Sequence, residues 1–333
     1  MRDEYFERTR LRTPDALPTA DGAFPAWWSG ASLAAPMLVV ATFLLFQKAF
    51  KLDRYDIVER VVQASTRGPD WEASIHAARG YWATALFVAT LVSFALAAAA
   101  GTSVYRSAAP AQLKLGVAAA TLGLFGAIVA HPSLAVSPWV VQELQLVQAL
   151  TGFSALLQLT LFLAHLFATA LLVAASVALK VGTLVTRPTD VRGLVEAQLD
   201  VRNLLGLSTA WLIIGAVGIG ALHRLASSSS APELREAINV VGSASTVFAS
   251  AFYSALLAAT FAPAELLLRR AGTHLAGAKP GSELGSAREW LREQGFDLSV
   301  TQSLGRILAI LSPLLAGLAQ NIANLGAVSG AGH

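Results

Sequence analysis

Six stretches of this 333-residue chain, at 27–47, 80–105, 115–130, 144–179, 203–222 and 238–264, contain no lysine, arginine, aspartate or glutamate. At about 1.5 Å per residue, a helix needs roughly 17–25 apolar residues to cross ~30 Å of hydrocarbon. No water is available there, so every backbone N–H and C=O must be satisfied within the segment, which a helix achieves and a lone strand does not. The pattern specifies an all-α fold: a polytopic transmembrane helical bundle of about six spans, followed by an amphipathic helical tail at the C-terminus.

Composition agrees with that solvent. Hydrophobic residues make up 55% of the chain and charged residues only 14%, a balance that soluble domains rarely reach. The absence of cysteine removes disulfides, iron–sulfur clusters and thiolate zinc sites, so a metal would rest on His, Asp or Glu alone. The formal charge of +3 comes from basic residues beside the spans, where the lipid bilayer is the natural partner, and no nucleic-acid partner is expected. The N-terminal polar segment, 1–26, mixes Arg2, Arg8, Arg10 and Arg12 with Asp3, Glu4, Glu7 and Asp15, unlike the basic-then-apolar order of a cleaved leader. An integral protein of the plasma (inner) membrane is the expected localisation.

The bundle is expected to occupy 27–264. Past the first span, Leu52, Tyr55, Val58 and Val62 keep helical spacing among charged neighbours, and Thr66-Arg67-Gly68-Pro69-Asp70 supplies turn chemistry. A helical hairpin at 51–80 therefore projects from the membrane, with Asp70 as the N-cap of its second helix. The fourth helix, near 153–185, is longer than a bilayer needs, a polar loop is expected at 227–232, and Pro263 is expected to close the sixth span. A polar Gly-rich linker then covers 265–297. In the tail, 298–333, Leu304, Ile307, Leu308, Leu311, Leu315 and Leu318 form a stripe that should lie on a surface or a partner, with Ser312-Pro313 dividing the helix. The hairpin at 51–80 and the tail at 298–325 are the two places where a protein partner is expected. The connector 131–150 lacks Lys and Arg, which puts it outside and both termini inside by the distribution of basic charge.

One helix face carries polar chemistry. Ser154, Gln158, His165, Thr169, Ser176 and Lys180 fall on a single side of the fourth helix at spacings of four and seven. Gln158, His165, Thr169 and Ser176 are the candidate internal site. They either line a pathway in which His165 changes charge near neutral pH, or bind neighbouring helices through hydrogen bonds worth about 0.6 kcal/mol each. Two further faces consist of small residues: Ala85, Ala89, Ser93, Ala97 and Gly101 on the second span, and Thr246, Ser250, Ser254, Ala258 and Ala262 on the sixth. Small residues every fourth position let backbones approach closely, and so many such faces suit a homo-oligomer.

Enzyme signatures are missing. The sequence holds no HExxH, no P-loop, no dinucleotide-binding glycine pattern and no pair of intramembrane aspartates. No cofactor is expected either, because a haem held by two histidines would need a second mid-span histidine beside His165. The chain reads as a channel, transporter or membrane-embedded subunit that moves an ion or small solute. The alternative is a non-conducting scaffold or signalling component that binds partners through the hairpin and the tail.

Overall fold

The computed structural model describes residues 69–135, 155–186, 191–230, 232–277 and 305–319, together with the isolated positions 145 and 148. These residues form α1 (Pro69–Arg106), α2 (Ala111–Ala130), a 3-10 turn (Pro132–Leu134), α3 (Ala155–Thr186), α4 (Val191–Ser229), α5 (Pro232–Gly277) and α6 (Gly305–Ala319), with no strand among them. The first five α-helices are each long and apolar enough to cross a membrane. The first expected span, 27–47, the outer arm of the 51–80 hairpin, and most of the 131–150 connector lie outside the described residues.

Several boundaries differ from the sequence expectation. Asp70 is not an N-cap, because Pro69 before it is already helical. The polar 227–232 loop shrinks to a single bend, since the hydroxyls of Ser229 and Ser230 donate to the carbonyls of Leu225 and Ala226, one turn back, and so find partners without leaving the helix. Pro263 does not close the sixth span: α5 runs through it to Gly277, so 265–277 of the expected linker is helical. Proline inside a helix forfeits one hydrogen bond, and packing around it can hold the helix together.

Burial follows small residues rather than large ones. On α1 the buried positions are Trp82, Ala85, Ala89, Ser93, Leu96 and Ala100, while Phe87, Leu91 and Phe94 are exposed. Lipid tails are as apolar as leucine, so large side chains gain little by turning inward, and close backbone approach decides which face packs. The centre of the molecule is α4, which lies against α1 and α5 along most of its length, while α3 packs on α1, α2 and α5. At the junction of α3, α4 and α5, Gly215 accommodates Tyr253 and Leu166, 3.5 and 3.6 Å from where its Cβ would stand. Further along, Gly242 of α5 takes the side chain of His223 so closely that a Cβ would come within 2.6 Å of the histidine Cβ.

The α1–α2 corner is tied from one side. Lys114 donates to the carbonyl of Tyr105 at 2.7 Å and stands 5.8 Å from the centre of its ring, a cation on a helix C-terminus whose last carbonyls lack helical partners. α2 is peripheral: Ile128 is its single buried side chain.

Candidate functional site

The polar face of α3 points at α1 and α2. Trp82 donates its indole N–H to Gln158 at 2.9 Å, and the hydroxyls of Ser93 and Thr169 share a buried hydrogen bond at 3.1 Å. Between them along the helix, the half-buried His165 ring lies edge-on to Phe94 of α1 and to Phe125 of α2, with centroids 5.3 and 5.6 Å away. Lys180 closes the face with an ion pair to Asp200 of α4. Ser176 is buried and its hydroxyl has no hydrogen-bond partner. Ser154 lies outside the described residues. The stripe thus joins α3 to three other helices. Among the described residues, no group of three His, Asp or Glu side chains could hold a metal ion.

The small-residue faces have different neighbours. On α1, Ala85, Ala89 and Ser93 are buried, Ala97 and Gly101 are half-buried, and the space beside Gly101 is open. On α5, Thr246, Ser250 and Ser254 are buried, Ala258 is half-buried and Ala262 exposed. Over Ser250 and Ser254 lies α6, the C-terminal helix of the same chain. Its Leu314 N–H donates to Ser254 Oγ at 3.2 Å, and Gly317 meets Ser250 and the Thr246 carbonyl. Antiparallel to α5, it begins where Arg306 pairs with Glu265 and ends near the level of Ser250.

This placement corrects the expected tail. The leucine stripe was to be its docking face, yet Ile307, Leu308, Leu311, Leu315 and Leu318 are between 40 and 56% exposed, and Pro313 and Gly317 are the buried positions. The helix docks by its small face, as α1 does and for the same reason. Nor does Ser312-Pro313 divide it, because α6 is helical from Gly305 to Ala319. The carbonyl that Pro313 cannot serve is that of Ala309, four residues back. It accepts from Ser312 Oγ at 2.7 Å and from Thr209 Oγ1 of α4 at 3.2 Å. Hydroxyls from its own helix and from a neighbour therefore repair the gap.

The sequence reading missed the charged corner at the start of α6. Arg306 pairs with Glu265, and Arg202 of α4 and Arg269 of α5 lie within electrostatic reach of it. Beside this corner, Arg202, Leu205, Gly206, Gly305, Arg306 and Ala309 line an open cleft of about 290 Å³. The available signal was opposite charge next to apolar runs: Glu265 follows 238–264 directly, and Arg306 begins the tail helix. Comparison with protein-family models, with curated proteins and with solved structures finds no match to this chain.

Proposed function

We propose that the protein is a non-catalytic, non-conducting membrane component, a scaffold or embedded subunit of the plasma (inner) membrane that assembles with copies of itself. The reading rests on one observation: the polar face of α3, the only such stripe that the sequence offers, is occupied by Trp82, Ser93, Phe94 and Phe125. Groups bonded to neighbouring helices hold the bundle together and offer nothing to a passing ion. The outward faces of α1 and α2 support self-association. Gly101, Gly116 and Gly123 have no heavy atom within 4 Å of where a Cβ would stand, leaving room for another backbone to approach.

A second reading, movement of an ion or small solute, draws on Ser176, whose buried hydroxyl lacks a hydrogen-bond partner in surroundings where such groups are costly. Reconstitution separates the two. Liposomes containing only this protein should pass no more ion or solute than empty ones between pH 5 and 8, within the range where histidine titrates. Flux whose pH dependence changes in His165→Leu would overturn the proposal and establish the pathway.

A further inference from the structure

We infer that the cleft between α4 and α6 is a binding site for an anionic glycerophospholipid, its phosphate held by Arg202 and Arg306 and an acyl chain laid along Leu205, Gly206 and Ala309. Charge is the first support. Around Arg306 stand Glu265, Arg202 and Arg269, so three guanidinium groups face a single carboxylate, and the excess is positive. Arg306 uses one terminal nitrogen on Glu265, while its Nη2 has no hydrogen-bond partner. A guanidinium presents a planar fork that suits phosphate oxygens.

Depth is the second support. Arg202 immediately precedes the uncharged run 203–222, Arg269 follows the run 238–264, and Arg306 stands at the start of α6. All three mark the same end of the apolar core, where headgroup phosphates lie, and basic pockets between spans at that level recognise acidic headgroups. Shape is the third. The cleft walls are mostly apolar, and no atom approaches the space where side chains at Gly206 and Gly305 would project. Free phosphate has no use for such a groove, whereas an amphiphile fills both parts. The exposed leucines of α6 place this flank against lipid, so the ligand can enter sideways from the bilayer.

Native mass spectrometry of the full chain in neutral detergent tests the assignment, with phosphatidylglycerol, phosphatidylcholine and inorganic phosphate as separate probes. We expect saturable phosphatidylglycerol adducts and much weaker phosphatidylcholine adducts. Arg202→Gln should weaken phosphatidylglycerol binding at least about fivefold, the scale of one basic residue at an anionic surface. Gly206→Leu fills the groove without changing charge and should weaken it as well, which keeps the test intact if the arginine variant fails to fold. Equal binding of both lipids would overturn the proposal. So would inorganic phosphate that displaces phosphatidylglycerol and binds Gly206→Leu as well as the parent, because the corner would then be a simple anion site.

Discussion

Replacing Gly317 by alanine tests how α6 is held. A Cβ at Gly317 would stand 2.7 Å from Ser250 Cβ and 3.2 Å from the Thr246 carbonyl oxygen, with Ser250 Oγ closer still. Non-bonded carbons rest at about 3.5–4.0 Å, so α5 and α6 must part by roughly 1 Å. Neither obstacle is a flexible tip, since Ser250 Cβ is fixed to its backbone and the other atom is backbone. Overpacking of this kind costs about 1–3 kcal/mol. Against it stands the helix preference of alanine over glycine, worth about 1 kcal/mol in the opposite direction. The two effects separate in a double-mutant cycle. In the parent, Gly317→Ala should destabilise; in a Ser250→Gly background, where the obstructing side chain is gone, it should stabilise. Reversible unfolding of the purified chain in mixed micelles, followed by circular dichroism, supplies the four free energies. The same sign in both backgrounds would refute direct packing of Gly317 on Ser250.

Three other outcomes can be measured on the same material. Gly242→Ala brings a Cβ within 2.6 Å of His223 Cβ and 2.8 Å of Cγ, and should cost about 1–3 kcal/mol by forcing α4 from α5; an unchanged unfolding midpoint would show that the two helices pack differently. Ser93→Ala and Thr169→Val should each cost about 0.6 kcal/mol, and the double variant little more than either alone, because both remove one hydrogen bond; additive losses would mean that the hydroxyls do not meet. For topology, the cysteine-free sequence allows single cysteines at the exposed Ser133 and Ala108: with both termini inside, an impermeant maleimide applied to intact cells should label the first and spare the second, and the reverse would invert the orientation.

The helices were legible because charge-free length is a one-dimensional property, and α1 to α5 each contain one of the runs read from the sequence. Their ends were less legible. Pro263 and Ser312-Pro313 read as breaks because proline lacks an N–H, but whether a neighbour supplies the missing partner depends on residues far away in the chain, such as Thr209 for Ala309. The direction of the tail was misread for a different reason. A stripe of leucines points inward in water, and in lipid it can point outward, so the pattern at Ile307, Leu308, Leu311 and Leu315 locates an interface without saying which medium lies on either side. The polar face of α3 was visible from its spacing, whereas its partners Trp82 and Phe125 were hidden among ordinary apolar residues. The arginine corner draws its members from three helices, and no local window contains it.

A regular apolar helix lying on a face of small residues can slide by a turn or twist by one position with little change in contact energy, so such pairs are prone to multiple alignments. The Ala309 carbonyl removes that degeneracy. Its helical partner is missing because of Pro313, and beyond the bond from Ser312 it is met by one hydroxyl of another helix, Thr209. Displacement by a turn, about 5.4 Å, would leave Thr209 opposite a carbonyl already in use and move Leu314 away from Ser254. Proline in α6 thus gives the docked helix a single register, and the apparent flaw in the helix acts as its address.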